Sequence, residues 1–273
     1  MVHQPNWIDL AGVANMRDLG GLPTEGGDAV RPHRLLRSDN LQSLPPASVT
    51  ELLETYAVTD VVDLRTTVEV AKEGDGPLRM VPQLRFHHLT LYREDSPELG
   101  IPAAERALPW EADERRAEAA RAAAPDRHPR HDAFWSDHYL SYLAARPDSV
   151  VAALRAVAAS RGAALVHCAA GKDRTGTVVG LALKVAGVTD EAVIADYAAS
   201  AERVPRILER LRGRPTYAAN LRDKTVAQQS PSADTMRLLL EGLEVRFGGV
   251  LGWLDEQGWT GADTDRLRDK LLG

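Results

Sequence analysis

Residues 163 to 176 read AALVHCAAGKDRTG, and this stretch decides the fold. It begins with apolar residues, which predict a short buried strand that ends at His167. Residues 175 to 186 are apolar nearly all round, so they predict a buried helix that Gly187 can end. The small residues between these two elements allow a tight loop. The chain therefore places a strand, a loop from His167 to Thr175 and a buried helix in direct succession.

The loop carries side chains whose chemistry suits a bound phosphate. Cys168 can supply a thiolate, which a helix N-terminus and a ring of backbone N–H groups would stabilise. Gly171 can adopt a positive φ angle, and the planar guanidinium of Arg174 can clamp two phosphate oxygens. Thr175 can donate a hydrogen bond to the sulfur when the sulfur becomes a leaving group. The residues expected to surround the phosphate are Ala169, Ala170, Gly171, Lys172, Asp173 and Arg174.

The spacing of these residues is specific. At ordinary residue frequencies, His before a cysteine with Gly at +3, Arg at +6 and Ser or Thr at +7 is expected for about one cysteine in 10⁴ to 10⁵. A Walker A loop needs glycine where Val166 stands and Ser or Thr where Asp173 stands. A dinucleotide fingerprint needs three spaced glycines, which this stretch lacks. The pattern therefore favours a cysteine nucleophile over a nucleotide site.

A phosphate ester also needs a proton donor for its leaving group, and two aspartates are the main candidates. Asp173 lies inside the loop. Asp63 ends a predicted strand, and functional groups gather at the carboxyl ends of strands in an α/β sheet. The alternative for Asp63 is a structural partner of an arginine, and the alternative for Asp173 is a solvated carboxylate. Asp113 is a weaker third candidate.

The histidines receive a structural interpretation. Adjacent residues of a strand point to opposite faces, so we expect His167 to bond to the loop backbone rather than to Cys168. A separate group of polar residues matches no strong metal-binding template, so we expect no metal ion there. The members of this group are His128, His131, Asp132, Asp137 and His138.

Composition and charge disfavour several classes of protein. The 273 residues carry a formal net charge of −6, which disfavours general nucleic-acid binding. No run of apolar residues is long enough to span a membrane. Cys168 is the single cysteine, which fits a reducing compartment, and residues 1 to 10 show no secretory signal. We therefore expect a cytoplasmic protein that meets its anionic substrate with a local positive site.

Hydrophobic periodicity elsewhere predicts strands that alternate with helices. Strands are predicted at 58–64, 84–91 and 163–167, with one or two short strands in the first forty residues. The predicted helices cover residues 45–56, 132–145, 147–160, 175–186, 189–201, 203–213, 232–247 and 260–271. This alternation indicates an α/β fold with a central, mainly parallel sheet flanked by helices.

With these motifs in place, the chain resembles the bacterial tyrosine phosphatases that carry the loop His-Cys-x-Ala-Gly-Lys-Asp-Arg-Thr-Gly, a group also described as lipid phosphatases. The resemblance covers nearly the whole chain. The supporting motifs are residues 15–18, 34–38, 63–70, 193–197 and 271–273. The resemblance implies a cysteine-phosphatase fold with a four-stranded parallel sheet, no metal and no cofactor.

The resemblance also implies roles for the loop residues. Cys168 would be the nucleophile, Arg174 and the backbone of 169–173 would bind phosphate, Asp173 would be the acid and Asp63 a further site residue. The implied activity is hydrolysis of phosphotyrosine through a phosphocysteine intermediate, with inorganic phosphate as product. Phosphoserine, phosphothreonine and phosphoinositides are further possible substrates, and Lys172 would favour a second phosphate group.

Two segments stand out within a chain that we expect to form one domain over residues 1–273. Residues 92–130 are rich in Pro, Ala, Glu and Arg and predict a helical insertion on the surface. Members of the family cover their site with a helical pair, and residues 203–230 would play that part. Pro205 and Gly213 divide this segment into pieces that can hinge.

Two other functions remain as alternatives. A catalytically inactive module could bind phosphoproteins or phosphoinositides, but the intact Cys168, Asp173, Arg174 and Asp63 argue against it. A sulfur-transfer or arsenate-reducing enzyme could use a similar loop, but arsenate reduction generally needs further cysteines, and the chain has only one. We therefore expect a phosphomonoesterase whose partners are phosphorylated proteins or phosphoinositides.

Overall fold

The strands of the protein form one mixed sheet. The computed structural model describes residues 4–94, 100–111 and 131–273, without the side chain of residue 131. Within these residues the sheet has six strands in the spatial order β1-β2-β3-β6-β4-β5. The strands are β1 Asn6–Trp7, β2 Arg17–Asp18, β3 Leu35–Ser38, β4 Val58–Asp63, β5 Arg85–His88 and β6 Ala163–His167.

Most of this sheet is parallel. β3, β6, β4 and β5 run in the same direction, whereas β1 and β2 pair antiparallel at one edge. The expectation of an α/β fold with a mainly parallel sheet is therefore confirmed. The described sheet has six strands, whereas the family resemblance implies four. The two additional strands, β1 and β2, have two residues each, which is too short to show a periodic pattern.

Helices flank the sheet throughout the described ranges. In chain order they are α1 Pro46–Glu54, α2 Thr67–Glu73, α3 His131–Ala145, α4 Pro147–Ala158, α5 Asp173–Val185, α6 Asp190–Ala199, α7 Val204–Arg212, α8 Pro215–Leu221, α9 Val226–Gln229, α10 Ala233–Phe247, α11 Val250–Glu256 and α12 Gly261–Leu272. Among the helices with described residues, none has the length and apolar character needed to cross a membrane.

Local sequence sets several helix ends. Pro46 begins α1, where its missing N–H costs no hydrogen bond. A capping box begins α2: the Thr66 hydroxyl accepts from the Glu69 backbone N–H, and the Glu69 carboxylate accepts from the Thr66 N–H at 2.7 Å. Helix α5 begins at Asp173 rather than at Thr175. The N-terminus of α5 therefore follows the loop without a linker.

Alternate residues of the central strand β6 face two apolar clusters. Ala164 and Val166 belong to a cluster that includes the buried residues of α5, and Leu165 belongs to a second cluster on the opposite face. All of β6 is buried. The sheet is thus packed on both sides, and the loop leaves it from a rigid position.

Helices α2 and α11 are absent from the sequence-based expectation. Both have seven residues, which gives too few turns for a clear helical period. The strand expected at 84–91 is shorter, Arg85–His88. The segment expected to form a cover contains α7, α8 and α9.

Candidate active site

Three residues from the first forty positions hold the loop from outside. Asn40, Asn15 and Arg37 each donate to a loop carbonyl. The bonds are Asn40 N–H to the carbonyl of residue 169 at 3.0 Å, Asn15 Nδ2 to that of residue 170 at 3.0 Å, and Arg37 Nη2 to that of residue 171 at 2.8 Å. The backbone N–H groups of residues 169–172 donate to no described residue. In a planar peptide, the N–H group of one residue points away from the carbonyl of the residue before it. Because the loop carbonyls bond outward, these N–H groups are free to bind an anion inside the loop.

Gly171 is required by the shape of this loop. Its φ angle is +66°, and a Cβ atom at this position would lie 2.4 Å from the Ser38 carbonyl oxygen. That distance is well inside van der Waals contact, so any side chain would push the loop away from β3. The positive φ expected from the sequence is present.

A buried cluster of two arginines and one aspartate supports the loop. Asp196 of α6 accepts from Arg17 Nε at 2.7 Å and from Arg37 Nη1 at 2.5 Å. Burial and the neighbouring Arg37 lower the pKa of Arg17 to about 10, so Arg17 is protonated at neutral pH. The sequence analysis gave Arg17, Arg37 and Asp196 no role in the site, because the residues of this cluster lie far apart along the chain.

Arg174 is fixed by a carboxylate on α2. Its Nη1 is 2.6 Å from Glu69 Oε2 and its Nη2 is 3.0 Å from Glu69 Oε1, while Nη1 also donates to the Leu64 carbonyl at 3.3 Å. Burial would lower the pKa of Arg174, but Glu69 and Cys168 raise it well above its ordinary value. Arg174 Nε has no partner among the described residues. The guanidinium edge with Nε and Nη2 can therefore bind two phosphate oxygens.

Glu69 is a further residue of the site to which the sequence analysis gave no role of its own. It is fully buried, and it also accepts hydrogen bonds from the Thr66 N–H and, at 3.0 Å, from the Tyr217 hydroxyl. Burial would raise the pKa of Glu69, but Arg174 and the Thr66 N–H lower it below its ordinary value. The capping pattern at Thr66 and Glu69 was the available signal, and it pointed to a helix end rather than to Arg174.

Two aromatic rings lie beside Arg174. The guanidinium carbon is 5.7 Å from the ring centre of Tyr92 and 5.4 Å from that of Trp110, within the range of cation–π attraction. Trp110 and Leu108 belong to the segment expected on the surface, yet Leu108 is buried. The described part of residues 92–130 thus contributes to the wall of the site.

Cys168 lies at the start of the loop and is only 2 % exposed. Its thiol is free of any disulfide. The buried Thr175 hydroxyl has no hydrogen-bond partner in the described part of the chain. That hydroxyl is available for the sulfur-directed hydrogen bond expected from the sequence.

Asp63 is held by its own neighbours. Its carboxylate accepts from Arg65 Nε at 2.9 Å and from Arg65 Nη2 at 2.6 Å, and His167 Nε2 lies 3.6 Å from Oδ1. Burial would raise the pKa of Asp63, but His167 and Arg65 lower it far below its ordinary value. This environment is that of an ionised partner of an arginine.

His167 lies between this pair and the loop backbone. Its Nδ1 is 3.3 Å from the Cys168 carbonyl oxygen. Burial lowers the pKa of His167 to about 4, although the nearby Asp63 acts in the opposite direction. His167 is therefore neutral at pH 7. Its contacts agree with the structural interpretation of this residue.

Asp173 has a more open environment than Asp63. Its side chain is 23 % exposed, against 4 % for Asp63. One oxygen, Oδ1, accepts a hydrogen bond from the hydroxyl of Tyr139, and the other, Oδ2, is 3.6 Å from Lys172 Nζ. Asp173 thus has an oxygen that can exchange a proton with a ligand in the loop.

Helices α7 to α9 pack over the loop. Apolar residues of α7 and α8 form a cluster with Ala169, and Lys172 Nζ donates to the Gln229 carbonyl at 2.7 Å. Polar contacts of residues 204–229 with the rest of the chain include Tyr217 with Glu69, Arg210 with Asp39 and Arg214 with Glu73.

Some expected residues cannot be placed. Asp113, His128 and the side chain of His131 lie outside the described residues. Among the residues that the structure does describe, no group of three or more His, Cys, Asp and Glu side chains could hold a metal ion.

Comparison with known proteins gives one family and several relatives. The model of the tyrosine phosphatase family matches residues 8–273. The triple specificity protein phosphatase PtpB of Mycobacterium tuberculosis is 30% identical over 97% of this chain and 99% of its own length. A tyrosine-protein phosphatase of Nostoc commune is 31% identical over 43% of this chain and 42% of its own length. The family match includes every residue of the site described above.

Proposed function

Because this chain belongs to the tyrosine phosphatase family, we propose that it hydrolyses phosphotyrosine in proteins through a phosphocysteine intermediate on Cys168. The observation that carries this mechanism is the loop itself. The N–H groups of residues 169–172 and one guanidinium edge of Arg174 are free of protein partners in the described structure. These donors lie on the same loop as the single cysteine, so a phosphate held by them meets the thiolate.

The proposed reaction has two steps. In the first step, the Cys168 thiolate forms the S–P bond, the P–O bond to the substrate breaks, and the leaving oxygen takes a proton from Asp173. In the second step, Asp173 takes a proton from the attacking water, the S–P bond breaks, and inorganic phosphate leaves. Thr175 donates a hydrogen bond to the returning thiolate. The loop N–H groups and Arg174 hold the equatorial oxygens in both steps.

We assign the proton transfer to Asp173 and a positioning role to Asp63. Asp173 is the more exposed carboxylate and has one oxygen free of hydrogen bonds from described residues. Asp63 is bound through both oxygens to Arg65, and its depressed pKa keeps it ionised. An aspartate that stays ionised at working pH cannot donate a proton.

The same site could accept other phosphomonoesters. The relative from Mycobacterium tuberculosis is named a triple specificity protein phosphatase, which supports phosphoserine and phosphothreonine as further substrates here. Lys172 is a cation at the edge of the loop, and its Nζ contacts only the Gln229 carbonyl and Asp173 at close range among the described polar groups. A phosphoinositide with a second phosphate group would give this ammonium a further anionic partner besides Asp173.

Access to the loop requires motion, and we propose that residues 203–230 are a movable cover. Cys168 is 2 % exposed, and apolar residues of α7 and α8 pack against the next residue, Ala169. The Lys172–Gln229 hydrogen bond joins the cover to the loop. The Tyr217–Glu69 hydrogen bond joins the cover to the carboxylate that holds Arg174. A bulky phosphotyrosine can enter only after these contacts open.

Cys168→Ser tests the covalent mechanism. The variant is expected to lose turnover of a phosphotyrosine peptide while it binds phosphate within about tenfold of the unmodified protein, or about 1.4 kcal/mol, because the N–H groups and Arg174 hold the anion. Thr177→Ser, on α5 beyond the loop, is the control for general disturbance. Rapid quenching followed by mass spectrometry should detect a phosphate on Cys168.

Two results would decide against parts of the proposal. Substantial turnover by Cys168→Ser would exclude the phosphocysteine route. Tight phosphopeptide binding without turnover by the unmodified protein would support an inactive binding module instead. A panel of phosphotyrosine, phosphoserine and phosphoinositide substrates, assayed with one preparation, would define the specificity.

A further inference from the structure

Asp173 is hydrogen-bonded to a tyrosine of α3. The Tyr139 hydroxyl donates to Asp173 Oδ1, and the Tyr197 hydroxyl lies 2.7 Å from the Tyr139 hydroxyl. A phenol has one proton to donate. Since Tyr139 gives its proton to Asp173, its oxygen accepts from Tyr197. The two tyrosines form a directed chain that ends at the carboxylate.

The second oxygen of Asp173 has a different environment. Oδ2 accepts no hydrogen bond from the described residues, and the nearest ammonium, Lys172 Nζ, is 3.6 Å away. Lys172 donates instead to the Gln229 carbonyl at 2.7 Å. The hydrogen bond at Oδ1 therefore leaves Oδ2 as the oxygen that can carry an exchangeable proton.

We propose that Tyr139 is a positioning residue for the general acid, because its bond to Oδ1 fixes the carboxyl group so that Oδ2 exchanges the proton with the substrate. This inference rests on the proposed function, in which Asp173 is the proton donor. In the first step the proton passes from Oδ2 to the leaving oxygen. In the second step a proton of the attacking water passes to Oδ2. Tyr139 keeps its own proton in both steps.

The surroundings of Tyr139 suit a fixed, neutral donor. Its side chain is 1 % exposed. Burial, followed by the charge of Asp173, raises the pKa of Tyr139 well above its ordinary value, so the phenol remains protonated. The rings of Tyr142 and Tyr197 lie 6.0 and 6.1 Å away between centres. Packing of this kind holds a ring, and thus its hydroxyl, in one orientation.

Tyr139→Phe tests the proposal through the choice of leaving group. The variant removes the donor and keeps the ring. We expect kcat/KM to fall about tenfold to a hundredfold for aryl phosphates with poor leaving groups and less than about threefold for those with good ones. The ratio between two substrates in one preparation does not depend on the fraction of protein that is folded, so partial unfolding of the variant cannot imitate this result.

Tyr142→Phe is the matched control. Tyr142 is also buried on α3, but its hydroxyl forms hydrogen bonds with Tyr92 and His138 rather than with Asp173. The control should keep the leaving-group dependence of the unmodified protein. An equal change of that dependence in both variants would overturn the proposal, because it would reflect general repacking of α3.

Asp173→Asn separates this inference from the function on which it rests. If Asp173→Asn steepens the leaving-group dependence and Tyr139→Phe leaves it unchanged, then Asp173 is the acid and Tyr139 does not position it. If Asp173→Asn leaves the dependence unchanged, the assignment of the acid itself is wrong. Steeper dependence in both Asp173→Asn and Tyr139→Phe, but not in Tyr142→Phe, supports the proposal.

Discussion

Glu69→Gln should separate the positioning of Arg174 from the chemistry of Cys168. The Glu69 carboxylate binds both terminal nitrogens of Arg174, at 2.6 and 3.0 Å, and it has no exposed surface. Glutamine has nearly the same size but no charge, and one of its terminal atoms is an N–H donor that cannot accept from Arg174. After the substitution, residue 69 can accept only one of the two hydrogen bonds from the buried guanidinium of Arg174, and it no longer carries a negative charge.

The size of the effect follows from these contacts. Removing one partner of a buried ion pair costs about 3–5 kcal/mol. Arg174 keeps the Leu64 carbonyl at 3.3 Å, and glutamine keeps one acceptor oxygen, so we expect a stability loss near the lower end, about 3 kcal/mol. In the proposed mechanism Arg174 clamps the phosphate, and loss of its fixed position resembles the loss of an oxyanion donor, which lowers rates by about 10²–10³.

Two measurements check this prediction: urea unfolding for stability, and kcat/KM with an aryl phosphate that has a good leaving group. Glu73→Gln is the matched control, because Glu73 is also a buried carboxylate of α2 but pairs with Arg214 on the cover. We expect the control to lose stability and to retain much more activity than Glu69→Gln. Activity of Glu69→Gln within about threefold of the unmodified protein would refute a positioning role for Glu69, since a lost donor normally costs far more.

Three further predictions concern the acid, the loop histidine and the cover. Asp173→Asn should lower kcat/KM for poor leaving groups by about 10²–10⁴, whereas Asp63→Asn should lower it evenly for all aryl phosphates; the reverse pattern would exchange their roles. Because burial lowers the pKa of His167 to about 4 from 6.5, the unfolded chain binds a proton that the folded chain excludes. The free energy of unfolding should therefore fall as the pH drops below 6.5 and be about 2 kcal/mol lower at pH 5 than at pH 8. If a His167→Asn variant shows the same pH dependence in urea unfolding as the unmodified protein, this prediction is wrong. Amide hydrogen exchange should be faster in residues 203–230 than in 175–186 and should be slowed by vanadate, and equal, vanadate-independent protection of both segments would argue against a moving cover.

The loop was predictable because its constraints are local. Cys168, Gly171 and Arg174 lie within a few residues of one another. The loop itself requires each of these residue types, and this requirement does not depend on the rest of the fold. Strand β6 and helix α5 were also clear, since β6 is apolar up to His167 and α5 is mostly apolar after its first turn. The mainly parallel sheet followed from strands that alternate with helices.

The supports of the loop could not be predicted in the same way. Asn15 and Glu69 act on residues more than a hundred positions away in sequence, and a single sequence gives no indication of which distant group a polar side chain meets. Tyr139 fitted the apolar face of a helix, and only the fold places its hydroxyl against Asp173. The first forty residues hold three strands where one or two short strands were expected, because a two-residue strand such as β2 shows no period.

The outward hydrogen bonds of the loop carbonyls bear on how an active member of this family is recognised from its sequence. The side-chain donors are Asn15 and Arg37, both of which lie far upstream of the signature at residues 167–176. A chain that kept every letter of the signature but lost these donors would keep the motif and lose the geometry that turns its N–H groups toward phosphate. A search for degenerate, inactive copies should therefore examine the first forty residues as closely as the signature.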